Sequence, residues 1–163
     1  MDAKAAIKIT INMADFLLKS TLEDMSDEDL LVRPVPNANH TAWQLGHLIS
    51  SEYKLMEAIL PGSSPALPAG FAEKHTKETA KIDDPKAFYT KQEYLAAFQK
   101  QRDASLAALE NIDEAELSKP GPEWAKAYAP TVAAVFAMHG SHHLMHLGQY
   151  SVVRRKLGKP VII

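Results

Sequence analysis

Four histidines fall within eight residues near the C-terminal end, in His139-Gly-Ser-His142-His143-Leu-Met-His146. Neutral imidazole is the commonest side-chain metal ligand. Residues four apart on a helix share a face, with Cβ atoms roughly 5–6 Å apart. His142 and His146 have that spacing, and so do His139 and His143. One helical turn can therefore turn two nitrogens toward one ion. A third ligand has to come from elsewhere in the chain. The best candidate is His47, in Thr41-Ala-Trp-Gln-Leu-Gly-His47-Leu.

A helix advances about 100° per residue, so from His142 the positions His146, His139 and His143 lie about 40°, 60° and 100° around the axis. Three imidazoles on one interior stripe need hydrogen bonds or a metal, because unpartnered buried polar groups are costly. Spacing alone leaves the 142/146 and 139/143 pairs equivalent. Three histidines with one position left open form a catalytic rather than a structural site. Zn²⁺, Ni²⁺, Fe²⁺ and Mn²⁺ all accept such ligands. An ion held this way lowers the pKa of a water ligand, binds a thiolate or polarises a carbonyl.

The chain has no cysteine, which removes disulfides, thiol nucleophiles and thiolate ligands of its own. His143 stands where a zinc protease would carry its general-base glutamate, so that chemistry is not expected. No phosphate loop, serine nucleophile elbow or dinucleotide fingerprint is present.

The elements that must position these histidines read as helices. Ile7, Ile11, Ala14, Leu18 and Leu22 recur at helical spacing, which predicts a first helix over 3–25 capped by Asp2. Ser26-Asp-Glu-Asp29 resembles a capping box that opens a short turn burying Leu30 or Leu31. Pro34 and Pro36 then break the chain. A second helix is expected over 41–60, with Trp43, His47, Ser50 and Lys54 along one stripe, ended by Pro61-Gly62. The stretch from Pro61 to Pro85 is loop-rich, with a short helix expected near 72–79. So long a connection often has a function. Here it is expected to cover one end of the molecule and line a pocket. Thr90-Lys-Gln-Glu93 is a capping box opening a third helix to about Ile112. A fourth runs from Pro130 to Leu157, where Gly158 and Pro160 stop it. The expected architecture is all-α, a four-helix bundle in one domain spanning 1–163, with the order of its helices left open by the two long connections.

Secondary candidates follow from position. Gln149, three residues after His146, could support a ligand through a hydrogen bond. Tyr150 and Trp43 are read as core or pocket-wall aromatics, and His139 as a solvated group or a substrate-side acid or base. His40 and His75 are read as exposed loop histidines. Gly46 and Gly140 lie inside helices at a cost of about 1 kcal/mol each against alanine, so close packing is expected at both.

Formal net charge is −2, and charged residues make up 23% of the chain. The one dense basic run, Arg154-Arg155-Lys156, suits the end of a helix. Neither feature suggests a nucleic-acid partner. Lys8 and Asp15 interrupt the N-terminal apolar stretch, and no run of about 18 apolar residues exists, so a cytoplasmic protein without a membrane segment is expected.

Asn39-His-Thr-Ala-Trp-Gln-Leu-Gly-His47-Leu, followed much later by His142-His-Leu-Met-His146-Leu-Gly-Gln149, resembles the DinB/YfiT-like superfamily. The similarity covers most of the chain. It implies a four-helix bundle in which His47, His142 and His146 hold a divalent metal, most often Zn²⁺ or Ni²⁺. That choice selects the 142/146 pair. It also implies a metal-dependent enzyme of thiol S-transferase or hydrolase type, acting on a small molecule with a low-molecular-weight thiol as possible cofactor, and a possible homodimer. The alternative is a non-catalytic metal- or small-molecule-binding bundle of the stress-response kind.

Overall fold

The computed structural model describes residues 2–162 and contains five helices: α1 (Ala3–Leu22), α2 (Thr41–Ile59), α3 (Lys91–Asn111), a single turn α4 (Glu114–Leu117) and α5 (Val132–Lys156). The protein is all-α, and its four long helices form the bundle. Among the described residues no helix is long and apolar enough to cross a membrane.

Each long helix starts on a side-chain cap, and the cap decides where it starts. Asp2 accepts from the Ala5 N–H at 2.7 Å. Thr90 and Glu93 form the expected reciprocal box, with Thr90 N–H donating to Glu93 Oε2 at 2.8 Å. The start of α5 falls at Val132 because Thr131, not Pro130, accepts from the Ala134 N–H at 3.2 Å. His40 is the unexpected cap. Its Nδ1 accepts from the Trp43 N–H at 3.1 Å, and its Nε2–H donates to the Ile82 carbonyl at 3.0 Å. His40 is therefore buried, not an exposed loop residue. The short helix expected over 72–79 resolves into two 3₁₀ turns, Ala72–His75 and Thr79–Lys81. The first helix ends at Leu22, earlier than the apolar pattern suggested, where Lys91 Nζ and Arg154 take up its last carbonyls.

Contacts along the helices fix their directions. Leu18 and Leu22 pack with Leu45, Tyr94, Phe98 and Val153 in one core cluster, and Ile11 packs with Met56, Leu109 and Phe136 in another. So α1 and α5 run one way and α2 and α3 the other. The order is up-down-down-up. The parallel α2–α3 pair needs a crossover, which explains the long connection between them. The α1–α5 seam is tight at Gly140, where an added Cβ would lie 2.9 Å from Thr10 Cγ2 and 3.0 Å from the Thr10 carbonyl. On the outer side of this pair Ile9, Met13 and Phe16 of α1, with Met145 and Val152 of α5, face solvent.

Candidate metal centre

The crossing of α2 and α5 brings His47, His142 and His146 together. One ligand nitrogen from each lies within 4.8 Å of the others. The His142 and His146 Nε2 atoms are 3.3 Å apart. Two nitrogens bonded at ~2.0–2.1 Å to a tetrahedral ion stand about 3.3–3.4 Å apart, so these two rings already hold one edge of such a site.

The proton on His146 is placed by its neighbours. Gln44 Nε2 donates to the Asn39 carbonyl at 2.8 Å, which turns Gln44 Oε1 toward the ring. His146 Nδ1–H then donates to that oxygen at 2.6 Å, leaving the Nε2 lone pair free on the side of His142. His47 is braced by Trp43, whose indole stacks on it at 5.1 Å between centroids and 4° from parallel. The indole N–H donates to the Thr76 carbonyl at 2.9 Å, fastening the 61–85 connection over this face.

Burial holds all three imidazoles in the neutral form. It pushes His142 down to about 4, with His47 adding to the effect. It pushes His146 to about 3, helped by His142 and His47, and lowers His47 as well. At neutral pH the cluster therefore presents nitrogen lone pairs, the form a metal needs. Three neutral imidazoles, two with nitrogens at the spacing of a shared ion and one with a fixed tautomer, suit a divalent cation.

Gln149 does not take part in this arrangement. It is exposed and, among the described residues, makes no hydrogen bond to the cluster. Its position on α5 lies about 60° around the axis from His146, on the solvent side. Gln44 does the supporting instead. The sequence held one clue to it, since Gln44 lies one turn before His47 on the same stripe. Tyr150 is fully buried in the first core cluster, and burial raises its pKa. Gln44→Leu is expected to weaken metal affinity by about 10- to 100-fold while leaving the helix content unchanged, as read by metal competition and circular dichroism.

His139 and His143 turn away from the triad, and His139 is buried rather than solvated. Both lie against a charged cluster in the centre of the bundle. Arg102 of α3 is fully buried, with Nε 3.1 Å from Asp15 of α1 and Nη2 3.2 Å from Glu52 of α2. The same Nη2 donates to the His139 carbonyl of α5 at 3.2 Å. His143 Nε2 lies 3.9 Å from Glu52. A solvated helix face would have accounted for Arg102 equally well in the sequence, so the cluster could not be foreseen.

His75 is also buried, contrary to expectation. Its Nδ1–H donates to the Phe71 carbonyl at 2.7 Å, and its Nε2 accepts from the Tyr94 hydroxyl at 2.7 Å. Its ring fills the space a side chain at Gly46 would need, since a Cβ there would fall 2.1 Å from His75 Nε2. The glycine beside His47 thus admits the crossover connection.

These histidines make acid destabilising. His75 and His139 are each pushed by burial from 6.5 to about 4. Their contribution to stability is complete above 6.5 and is lost as pH falls toward 4. Asp15 acts in the opposite sense. Burial raises it from 3.8 to about 6, so it favours folding as pH falls through that interval. Histidines with depressed values outnumber it. The urea midpoint of the metal-free protein is therefore expected to fall steadily from pH 7 to pH 4.5; a flat or rising profile would contradict these assignments.

A family model described as DinB superfamily matches residues 17–150. The chain belongs to the DinB superfamily. The matched segment contains all three converging histidines, Gln44 and Trp43. No curated protein and no solved structure matches the chain. DinB membership and the all-α bundle thus agree, and the histidine group is compatible with divalent metal binding in a DinB protein.

Proposed function

We propose that this DinB protein is a metal-dependent enzyme in which His47, His142 and His146 hold Zn²⁺ or Ni²⁺ and a thiol or water attacks a small electrophile. One observation carries the reading: three neutral imidazoles from two helices converge within 4.8 Å, and no carboxylate or fourth histidine joins them among the described residues. Three protein ligands leave a position free for an exchangeable guest, as catalytic rather than structural sites do. A divalent cation bound there supplies Lewis acidity and favours the deprotonated nucleophile.

The chain's own part is to prepare the site. Gln44 holds the His146 proton on Nδ1, so this ring is set before any ion arrives. Trp43 keeps the His47 ring in one plane and shields one of its faces. Low-molecular-weight thiols fit the donor set, because three uncharged ligands leave the full positive charge to hold a thiolate.

A second reading, a binding module without turnover, has one observation in its favour. The space between His142 and the Glu52–His143 side of the bundle, lined also by Leu48, Ser51, Leu55 and Met138, is narrow. The test is sequential. Purified wild-type protein should carry one equivalent of metal, and His47→Ala and His142→Ala should each lose it; full retention in both defeats the assignment. Thiol addition and hydrolysis are then assayed over a panel of electrophiles with and without chelator. Chelator-sensitive turnover supports the enzyme, and its absence supports the binding module.

A further inference from the structure

Away from the histidines, a recess of about 320 Å³ lies between residues 65–71 and one face of α3. That volume falls at the lower end of the ~300–1,000 Å³ seen for small-molecule sites. Its floor is α3 itself, where Ala96 and Ala97 leave the space that larger side chains would occupy. Its wall is aromatic: Phe71 and Tyr89 stack at 5.1 Å between centroids, 23° from parallel.

The wall is braced from behind. Gln101 Nε2 donates to the Pro65 carbonyl at 2.6 Å, and Phe71 N–H donates to the Pro68 carbonyl at 3.0 Å. Two prolines with fixed φ stiffen the segment between. Behind Phe71, the His75 ring links its carbonyl to the Tyr94 hydroxyl. The recess is thus a preformed feature of the chain, and filling it requires no ordering of the wall.

The charges at its edge are unequal. Lys100 lines the recess, and among the described residues no carboxylate comes within ion-pair distance of it. Lys74, outside the lining, sets its ammonium 4.5 Å over the Tyr89 ring, where its charge also acts on Glu93. The single lining carboxylate, Glu93, is held by Thr90 in the α3 cap. An occupant matched to these surfaces has a compact apolar body that rests on Ala96 and Ala97 against the side of the Phe71–Tyr89 pair, and one anionic group for Lys100.

We propose that this recess is a second ligand site, separate from the histidine centre, for a small aromatic or alicyclic anion such as an aryl carboxylate or sulfonate. The proposal stands whether or not the metal reading does. The probe is 8-anilinonaphthalene-1-sulfonate, titrated by fluorescence into the intact purified protein. Saturable binding at one site is expected. Ala97→Phe fills the floor and should weaken it at least about tenfold. Lys100→Glu, at an exposed position, should weaken it about three- to tenfold with the thermal midpoint unchanged. A neutral analogue, N-phenyl-1-naphthylamine, should bind Lys100→Glu and wild type alike. If Ala97→Phe fails to fold, Lys100→Glu and the neutral analogue decide. The proposal is overturned if wild type shows no saturable binding. It is overturned equally if folded variants retain wild-type affinity, which would place the probe on the exposed Ile9, Met13 and Phe16 face.

Discussion

His146→Ala is expected to leave the protein unable to respond to divalent metal. Wild-type protein in metal at 100 times its Kd should gain about 2.7 kcal/mol of stability, whereas the variant should gain almost none. The reason lies in what this one ring does. It supplies one of the three converging nitrogens, and it is the ring whose proton Gln44 fixes. Removing it leaves His142 without the 3.3 Å neighbour that sets the ligand spacing, and His47 without its third partner. Thermal unfolding with and without Zn²⁺ or Ni²⁺, alongside metal analysis of the purified variant, gives the answer. An equal upward shift in both proteins would mean that the ion sits elsewhere.

Arg102→Ala should cost about 3–5 kcal/mol, the range for breaking a buried ion pair from one side. Asp15 and Glu52 would keep their places between helices with no cation beside them. The burial that already raises Asp15 to about 6 would then go uncompensated by the guanidinium that now lowers it. Replacing all three charges together, as Arg102→Met with Asp15→Leu and Glu52→Met, should recover most of the loss, because apolar groups of similar size need no partner. By contrast, breaking the exposed Lys8–Glu110 pair should change stability by less than about 1 kcal/mol. Urea unfolding at pH 7 separates these cases. A loss below about 1 kcal/mol for Arg102→Ala would show that the centre of the bundle does not depend on this charge.

The local signals in the sequence were reliable where one residue acts on its own turn. Thr90 and Glu93 announced the start of α3, and Gly158 its counterpart at the end of α5, where its φ of 69° suits glycine. Helical spacing also identified the histidine pairs. It could not choose between them, because the choice depends on how α5 is rotated against its neighbours. His142 and His146 turn to α2 at His47 and Gln44, while His139 and His143 turn to the Arg102 cluster.

Features made by distant partners stayed hidden. Gln44 meets a residue 102 positions away, and Arg102 sits in Gln99-Lys-Gln-Arg102-Asp, a run indistinguishable from a solvated helix face. His40 and His75 looked like loop residues because they flank proline-rich stretches. Their burial comes from the crossover folding back over α2 and α3. The family resemblance chose the ligand pair that the helix wheel left open.

The crossover is fastened at intervals along its length. Pro65 is tied to Gln101, His75 to Tyr94, Thr76 to Trp43, Ala80 to Arg33 and Ile82 to His40. A protease must draw out several consecutive residues before it can cut; the ties leave few free in a row over 75–82, and the longer gap before them is interrupted by buried Phe71, whose carbonyl His75 holds. Limited digestion of the native protein should therefore spare this proline-rich stretch for about as long as the helices it crosses, despite its lack of regular structure.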